Sequence, residues 1–552
     1  MIDLKKDLEF KINQYFKEKK FTKIEKEIKK LGSFENLSPK FLAYYALSKS
    51  LNSNSTKSDF QEAAYLFEKI YNINQNNVEA IYNLIICATK AELYLYLKDF
   101  LEKIYKNFSN DLKINEGLSK VNFYLGNTIL ATKYYKKILE INPNNQDFWS
   151  KFLASNNYNQ VYSQEEYLVW CKKFDNISKP KVISEIKVKK KDKINLGFVS
   201  SDFRSHSVGF FLKDVIIKIN KNKFNLFAYN NLVLDPLDGL SKEIKSFFNG
   251  WTDAYKLKDK DLIDKIRNDN IDILIDLSGY TQGNRINIFK ARSAPIQISW
   301  LGYCNSLGLE NIDYLIADPY LIPENEYSLY TEKIIEMPKI WNALAVPKKI
   351  PNVSLENFNS ASFDFGCLNN FQKISDRTVE IWSLIMNKTK ANLVLKSSTV
   401  SSDDLSKNLI RKFEKHKVDI KRLKIFQRVK GQNQHLEFYN KFHMSLDTFP
   451  YPGVTTSFES VLMGKPFLTL AGNNFNSRCG KSINLNLGLE EFIAKSEDEY
   501  IEKALYFYRN PGYLFEIVKN LRTKALASSL FDTSTFTKSF TSILQNIYKN
   551  HL

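Results

Sequence analysis

Two segments of the N-terminal region repeat one another, and this internal repeat restricts the possible folds more than any other feature of the sequence. Residues 62–77 (EAAYLFEKIYNINQNN) align with residues 130–145 (LATKYYKKILEINPNN) at an offset of 68 residues. The offset is twice the period of about 34 residues that marks a tetratricopeptide helix pair. A degenerate middle copy fits near residues 101–118. The pattern predicts tetratricopeptide-like helical repeats over residues 1–178.

The residues shared by the two copies indicate how the predicted helices pack. Ala63 aligns with Ala131 and lets two helices approach closely, and Ile70 aligns with Ile138 within an aromatic and aliphatic stripe. The segment 142–145, Asn-Pro-Asn-Asn, is typical of one helix end and the next helix start. Stacked repeats form a curved solenoid whose concave face commonly holds peptides or partner proteins. The sequence leaves two roles open for this arm: binding a protein or peptide acceptor, or packing and homodimer contact.

The chain exceeds the length that one hydrophobic core usually organises, so several domains are expected. Its hydrophobic residues, at 43%, suffice for packed cores. No run of about 18 apolar residues occurs, and the N terminus is charged and helical in pattern, so neither a signal peptide nor a membrane span is expected. The cysteines form no CxxC pair, which favours reduced thiols and a cytoplasmic protein; they are Cys87, Cys171, Cys304, Cys367 and Cys479.

The formal charge of +18 raises the question of a polyanionic partner. Lysine is spread along the whole chain beside much asparagine and isoleucine, and no basic stripe dominates. This distribution favours solvated lysines over a surface that binds nucleic acid or an anionic membrane. We therefore expect no nucleic-acid partner.

A lysine-rich stretch at 179–193 separates the repeats from a region in which strand and helix patterns alternate. The first series of predicted strands covers 194–200, 225–229, 273–277, 296–300 and 314–317, and the second covers 363–368, 392–395, 423–426, 444–447 and 467–470. The alternation predicts two doubly wound α/β sheets, one in each Rossmann-like lobe. We place the lobes at 194–345 and 360–525, followed by a C-terminal helix at 526–552.

The strongest local motif lies at 447–466, DTFPYPGVTTSFESVLMGKP. It reads as a strand end, a turn rich in proline and glycine, and a helix that begins at Thr455 and Thr456. Free amides and hydroxyls at a helix N terminus bind phosphate oxygens, because the helix dipole and the donors act together. One turn later, Glu459 could accept hydrogen bonds from ribose hydroxyls. An ordinary capped helix is the alternative interpretation.

Two further residues follow predicted strands at the edge where ligands bind in such sheets. Lys373 follows the strand 363–368 and is placed to neutralise a diphosphate leaving group without a metal; the alternative is a solvated lysine. His206 follows the strand 194–200 and precedes an apolar helix, where a neutral imidazole could act as a base or orient substrate. A structural role for His206 remains an alternative.

The sequence does not favour a metal site. It contains neither an HExxH motif nor a Cys/His cluster. Asp259 and Asp261 match the DxD spacing that some transferases use for a divalent ion, but they lie in the polar run 256–264, which is typical of a solvated helix start. We expect no metal and no cofactor other than a nucleotide-sugar co-substrate.

Five motifs occur in a fixed order: Arg204 and His206 in SDFRSH, Gly279-Tyr-Thr281 followed by Arg285, the block APIQISWLGY at 294–303, Lys373-Ile374, and Thr455-Thr456-x-x-Glu459. Taken together, these motifs resemble the O-linked N-acetylglucosamine transferase family, glycosyltransferase family 41, which includes bacterial proteins with tetratricopeptide repeats and the plant spindly-type O-fucosyltransferases. The resemblance extends from about Ile194 to the C terminus, and the preceding repeats fit it as well.

The resemblance implies a fold of the GT-B type, an inverting transfer without metal, and a uridine or guanosine diphosphate-sugar donor. N-acetylglucosamine is the default sugar, and the hydroxyls of Ser and Thr in proteins are the implied acceptors. Roles carried over by position cover the whole site: Lys373 stabilises the diphosphate, Asn370 takes the place of a family Gln nearby, Thr455 and Thr456 hold phosphate, Glu459 replaces an Asp at the ribose, His435 lies against the nucleotide, His206 lies beside the acceptor and sugar, and Gly302 lets the backbone approach the donor.

The sequence departs from the animal enzymes at three places. Val454 stands where they have His, Gln432 where they have a nucleotide-contacting Lys, and residues 304–308 where they have Pro-Gly-Thr-Ser-Gly. These changes leave the base and the sugar of the donor open, with glucose or fucose as alternatives. Transfer to a glycan or to a surface-structure precursor, and a repeat scaffold that binds nucleotide-sugar without turnover, are further alternatives. The presence of Lys373 argues against the scaffold.

Overall fold

Helical repeats form the N-terminal part of the structure, a computed structural model that describes residues 2–32, 34, 37–177, 186–233, 237–359, 362–396, 403–427, 429 and 431–552. Contacts divide the chain into unit 1, Met1–Pro143 and Val400–Arg411, and unit 2, Asn144–Thr399 and Lys412–Leu552. The helices before residue 143 are α1 (Ile2–Lys17), α2 (Phe21–Lys29), α3 (Pro39–Leu51), α4 (Lys57–Ile73), α5 (Val78–Lys90), α6 (Tyr94–Phe108), α7 (Leu112–Tyr124) and α8 (Thr128–Ile141).

The two copies of the sequence repeat form equivalent helices, α4 and α8. Ala63 and Ala131 are both fully buried at the helix contacts, as the small side chain predicts. The asparagines that close the two copies also have equivalent roles, because Asn77 caps α5 by accepting from the Ala80 amide and Asn145 caps α9 (Gln146–Asn159). The helical repeat is therefore confirmed down to its capping residues.

Unit 2 begins with α9 and α10 (Gln164–Asn176) and continues into two parallel sheets. Residues 178–185, which include the first part of the lysine-rich stretch, lie outside the described residues. The first sheet has the order β3-β2-β1-β4-β5-β6-β7. Its strands and helices are β1 (Ile194–Ser200), α11 (Ser207–Lys218), β2 (Phe224–Asn230), α12 (Gly239–Lys245), β3 (Gly250–Asp253), α13 (Asp259–Asn268), β4 (Ile273–Asp276), α14 (Ile286–Lys290), β5 (Ile296–Ser299), β6 (Tyr314–Ala317) and β7 (Lys333–Glu336).

The second sheet has the order β10-β9-β8-β11-β12-β13, which repeats the arrangement of the first. Its elements are β8 (Asp364–Cys367), α15 (Asp376–Asn387), β9 (Asn392–Lys396), α16 (Asp403–Lys415), β10 (Leu423–Phe426), α17 (Gln432–Glu437), β11 (Met444–Leu446), α18 (Thr455–Leu462), β12 (Phe467–Leu470), α19 (Phe475–Asn486), β13 (Ile493–Ala494), α20 (Glu497–Arg509), α21 (Pro511–Leu526) and α22 (Thr533–Asn550). We call the parts built on β1–β7 and β8–β13 the first and second lobes.

The strand order reverses once in each sheet, between the adjacent strands β1 and β4 in the first lobe and between β8 and β11 in the second. We call this place the switch point of the sheet. Ligands of open α/β sheets bind in the crevice outside the carboxyl ends of the strands at such a point. The predicted pair of doubly wound sheets is confirmed. The strands that the sequence did not reveal, β3, β7 and β13, are short edge strands, whose partial pairing leaves a weak apolar pattern.

Helix α19 of the second lobe binds directly to the first lobe. Arg478 forms two 2.7 Å bonds to the Glu326 carboxylate and donates to the Leu321 carbonyl. One turn later, the Ser482 hydroxyl donates to Asp318 at 2.6 Å, and burial raises the pKa of Asp318 to about 7. The C-terminal helix α22 also packs on the first lobe. These contacts tie the two lobes of unit 2 together, while the limits drawn from sequence for each domain stay predictions.

No helix within the described ranges is both long and apolar enough to cross a membrane.

We predict that Arg478→Met destabilises the protein by about 3 kcal/mol, because the substitution leaves the Glu326 carboxylate mostly buried without its partner. Urea and thermal unfolding of the full chain measure the change. Arg377→Met is the matched control, since Arg377 pairs with Glu497 at the surface with half of its side chain exposed. That pair contributes under about 1 kcal/mol. Equal losses in the two variants would contradict the role of Arg478.

Candidate functional site

The turn after β11 is organised by one buried carboxylate, Asp447. Its Oδ1 accepts hydrogen bonds from the amides of Thr448 (3.0 Å) and Gly453 (2.7 Å) and from Asn369 Nδ2 (3.0 Å). Its Oδ2 accepts from the Thr469 hydroxyl at 3.0 Å. Burial raises the pKa of Asp447 to about 6, and the hydrogen bonds oppose that rise. The carboxylate therefore joins the ends of β8, β11 and β12 at the switch point, where the strand order reverses.

Gly453 allows the turn to close against its neighbours. A Cβ at this position would lie 2.7 Å from Asn369 Oδ1 and 2.8 Å from Ser457 Oγ, distances that no side chain tolerates. It would also clash with the Thr456 hydroxyl, which donates to Asn369 Oδ1. Glycine is thus required for the close approach of the turn, Asn369 and the start of α18.

Helix α18 begins directly after this turn, at Thr455 and Thr456. The amides of Thr455 and Thr456 donate to no described residue and are available to a ligand at the positive end of the helix dipole, whereas the Ser457 amide donates to the Val454 carbonyl. Val454 provides no side-chain cap, and the Thr455 hydroxyl makes no hydrogen bond to any described residue. The arrangement provides several donors for anionic oxygens at the switch point of the second sheet.

Lys373 lies against the same turn. Its Nζ donates to the Pro452 carbonyl at 2.9 Å and lies 3.7 Å from the centre of the Tyr451 ring. Burial lowers the pKa of Lys373 to about 8, and the Asp447 carboxylate opposes that shift. The lysine therefore contacts the segment 451–453, which leads directly into the start of α18. We call the region made of Asn369, Lys373, residues 447–453 and the first turn of α18 the crevice of the second lobe.

A second cluster of side chains lies beside the first turns of α18. Glu459 Oε2 lies 2.9 Å from His435 Nε2 and 3.1 Å from the Tyr439 hydroxyl. The Tyr439 hydroxyl is also 3.0 Å from the Thr456 carbonyl. The structure thus brings His435 and Glu459, two of the residues singled out from sequence, into direct contact beside the first turns of α18.

His206 caps α11 at the switch point of the first lobe. The Val208 amide is 3.4 Å and Asp202 Oδ1 is 3.5 Å from its Nδ1, while 39% of the side chain is exposed. Burial lowers the pKa of His206, so the imidazole is neutral at neutral pH. Helix α11 reaches the second lobe through Phe211, whose ring centre is 5.1 Å from that of Phe458 in α18. His206 therefore begins the helix that packs on α18.

The positions of two predicted site residues, Gly302 and Asn370, are explained by contacts within their own lobe. A Cβ on Gly302 would clash with the Leu277 carbonyl, so contact with another strand end accounts for this glycine, and its contact with a donor stays a prediction. Asn370 begins the short 3-10 turn Phe371–Lys373 and is half-buried. The preceding Asn369 is the residue that enters the crevice.

The acidic pair Asp259 and Asp261 lies in the first turn of α13, which confirms the helix-start interpretation. Asp259 is bound by Arg285 Nε at 2.9 Å and by Asn287 Nδ2 at 3.0 Å. Arg285 also donates to backbone carbonyls and is largely buried, so this motif residue holds the fold of the first lobe. Among the described residues, no group of three or more His, Cys, Asp or Glu side chains is close enough to hold a metal.

Sequence reasoning did not single out Asn369, Asp447, Tyr439 or Tyr451 as site residues. Asn369 and Asp447 both directly follow buried strands that meet at the switch point, and that position was the available signal. The two tyrosines gave no comparable signal, because their roles arise from contacts between distant segments.

Comparison with known proteins gives one family. The model of glycosyl transferase family 41 matches residues 163–344 and 354–540. A rice (Oryza sativa subsp. japonica) protein named "Probable UDP-N-acetylglucosamine--peptide N-acetylglucosaminyltransferase SPINDLY" is 28% identical over 426 residues, 76% of this chain and 46% of that protein. An Arabidopsis thaliana protein of the same kind, named SEC, is 27% identical over 356 residues, 63% of this chain and 36% of that protein. The chain spans less than half the length of these curated relatives.

Among solved structures, a mutant form of the Thermobaculum terrenum O-GlcNAc transferase superposes with a TM-score of 0.80. The two are 24% identical, and the match covers 94% of this chain and 99% of that one. This likeness confirms the predicted fold, a helical solenoid followed by the paired lobes of the GT-B type.

We predict that Gly453→Ala weakens the binding of uridine diphosphate at least about tenfold, because the added methyl group separates Asn369 from Thr456. Calorimetric titration with uridine diphosphate measures the affinity. Gly512→Ala is the matched control, since a Cβ there meets nothing within 4 Å. Retention of full affinity by Gly453→Ala would show that the turn does not shape the binding site.

Proposed function

The chain belongs to glycosyltransferase family 41, and from this premise we propose that it is an inverting, metal-independent glycosyltransferase. It transfers a sugar, by default N-acetylglucosamine, from a nucleoside diphosphate donor to Ser or Thr hydroxyls of proteins. The observation that supports this function best is the crevice of the second lobe, where Lys373 and the start of α18 lie on either side of the segment 451–453.

The crevice supplies what a departing diphosphate needs. As the bond between the anomeric carbon and the phosphate oxygen breaks, negative charge develops on the diphosphate, and preorganised donors stabilise that charge. The Lys373 ammonium, the amides of Thr455 and Thr456, and the Thr455 hydroxyl provide such donors. In the proposed reaction they take the place that a divalent metal has in other transferases.

In the proposed transfer, the acceptor oxygen attacks the anomeric carbon on the face opposite the diphosphate. The new carbon–oxygen bond forms as the old one breaks, so the configuration inverts and the diphosphate leaves with the electron pair. The acceptor hydroxyl gives its proton to a base. His206 is proposed for this role or for that of orienting the acceptor, because its imidazole is neutral and partly exposed at the position between the end of β1 and the start of α11.

The nucleoside part of the donor is assigned to the second cluster beside α18. Glu459 would accept from the ribose hydroxyls, and His435 would lie against the base. Asn370 and Gly302 are retained as proposed donor contacts at the strand ends on either side. Val454 and Gln432 bear on the base and sugar, and glucose or fucose in place of N-acetylglucosamine is compatible with the same phosphate contacts.

The acceptor is proposed to be a protein or peptide held by the repeat arm, in keeping with the names of the plant relatives as peptide transferases. A homodimer contact through the arm is the other role that such repeats support. The proposed compartment is the cytoplasm, because the cysteines are free thiols, as expected under reducing conditions.

We predict that the purified chain releases nucleoside diphosphate from a panel of UDP- and GDP-sugars in the presence of EDTA, and that Lys373→Met lowers kcat at least about a thousandfold. A charge-stabilising donor contributes several kcal/mol to such a transition state. Nucleotide release in the presence of an acceptor protein, followed by mass spectrometry of the product, measures the transfer.

Lys424→Met is the matched control for Lys373→Met. Lys424 lies on β10, two strands away from β8, and pairs with Asp364 at the amino end of β8, so its loss should leave turnover unchanged. A requirement for a divalent ion would contradict the metal-independent mechanism. A near-normal rate in folded Lys373→Met would contradict the role of the lysine.

The lowered pKa of Lys373 predicts an alkaline limit on activity. The ammonium is charged below about pH 8 and loses its charge above it, so kcat/KM for the donor should fall as the pH rises through about 8. A bound diphosphate favours the charged amine, so the same limb of kcat should lie at higher pH. Protonation of His206, whose pKa is lowered by burial, should reduce kcat/KM on the acid side.

Lys373→Arg provides the control for the alkaline limb, because a guanidinium stays charged over the whole range. The residual activity of that variant should lack the decline near pH 8. Identical alkaline limbs in the wild type and Lys373→Arg would assign the decline to another group.

A further inference from the structure

Lys396 lies at the carboxyl end of β9, and no motif of the sequence drew attention to it. Its side chain is almost fully buried, with 1% exposed. Its Nζ lies 2.6 Å from His435 Nδ1, and His435 Nε2 lies 2.9 Å from Glu459 Oε2. The imidazole is therefore held at both ring nitrogens, between a lysine and a carboxylate.

The chemistry of the two partners determines where the imidazole proton lies. A lysine ammonium only donates hydrogen bonds, so Nδ1 must accept and carries no proton. The single ring proton of a neutral imidazole is then on Nε2 and is donated to Glu459. In the opposite tautomer, the Nε2 lone pair would face the carboxylate at 2.9 Å, which is repulsive. The contacts select the tautomer with the proton on Nε2.

This arrangement also determines which part of Glu459 is available. Its Oε2 accepts from His435 and faces the Tyr439 hydroxyl, whereas no described residue donates to Oε1. The carboxylate is thus held through one oxygen and presents the other. Only the faces of the imidazole remain for a planar ligand, because both of its nitrogens are occupied.

The cluster is continuous with the phosphate end of the crevice. The Tyr439 hydroxyl reaches the Thr456 carbonyl at 3.0 Å, and the Thr456 hydroxyl donates to Asn369, which is bound to Asp447. A change in the position of His435 is therefore transmitted to the first turn of α18 through hydrogen-bonded neighbours.

We propose that Lys396 is a positioning residue for the nucleoside end of the donor site. By donating to Nδ1, it holds His435 in one tautomer and one orientation, and through His435 it directs Glu459 toward a ribose hydroxyl. The inference rests on the proposed function, in which His435 and Glu459 receive the nucleoside. Lys396 itself need not touch the donor.

The first test is spectroscopic and needs no ligand. Nitrogen-15 chemical shifts of histidine distinguish the two neutral tautomers, and the chain has only five histidines. The signal of His435 is assigned by its absence in His435→Gln. In the wild type it should show a proton on Nε2, and in Lys396→Met, which removes the donor, the pattern should shift toward a mixture of tautomers. A wild-type His435 protonated on Nδ1 would overturn the proposal even if the variant failed to fold.

The second test uses uridine diphosphate as the probe, with guanosine diphosphate in parallel. Lys396→Met should weaken binding about tenfold and raise KM for the sugar donor by a similar factor, while kcat changes much less than in Lys373→Met. Lys424→Met, the same substitution on the adjacent strand, should change neither the affinity nor the His435 signal. A general structural defect would instead lower kcat and thermal stability together.

The outcomes separate the inference from the proposed function. If the wild type binds a nucleoside diphosphate and folded Lys396→Met binds it equally well, the positioning role is overturned while the proposed function stands. If the wild type binds neither diphosphate, the proposed donor site is overturned, and the positioning role is overturned with it.

Discussion

The carboxylate of Asp447 is the interaction on which the crevice of the second lobe depends. A buried carboxylate without partners is costly, and here its oxygens accept from backbone amides of the turn, from Asn369 and from Thr469. One side chain thereby joins the ends of three neighbouring strands and closes the turn that leads into α18. The start of the helix and the position of Lys373 both follow from that turn, since Lys373 donates to its Pro452 carbonyl.

The same turn explains why a lysine can be kept partly desolvated. Transfer of an ammonium from water costs free energy, and the lowered pKa of Lys373 reflects that cost. The Tyr451 ring, the Pro452 carbonyl and the nearby Asp447 charge offset part of it. An arriving diphosphate would supply the remaining negative charge, so the donors are oriented before the reaction and need little rearrangement during it. The proposed ligand would therefore offset the desolvation cost that the Lys373 ammonium has in the free protein.

The sequence predicted most of the fold, and it predicted that Lys373 and the start of α18 lie near one another. Parallel strands bring their carboxyl ends to one edge, so Lys373, Thr455 and Thr456 could be placed together from strand patterns alone. Three of the four edge strands, β3, β7 and β13, were missed because their apolar pattern is weak, whereas the fourth, β10, was predicted. Which of Asn369 and Asn370 points its side chain into the crevice depends on the exact residue at which β8 ends. Strand prediction does not fix that residue. Lys396 was missed because its role arises only when β9 and α17 pack together.

Two of the departures from the animal enzymes lie at places where neighbouring residues keep the local structure in position. The run 304–308 is held by Glu332, which accepts from the Ser306 hydroxyl (2.6 Å) and the Leu307 amide (2.7 Å), and by Gln164 of α10, which donates to Asn305 at 2.8 Å. Helix α10 thus helps to hold this run of the first lobe. Gln432 is exposed at the start of α17, one turn before His435, whose ring is held by other residues. Contacts to the base at this position can therefore vary without loosening His435, because Lys396 and Glu459 hold its ring.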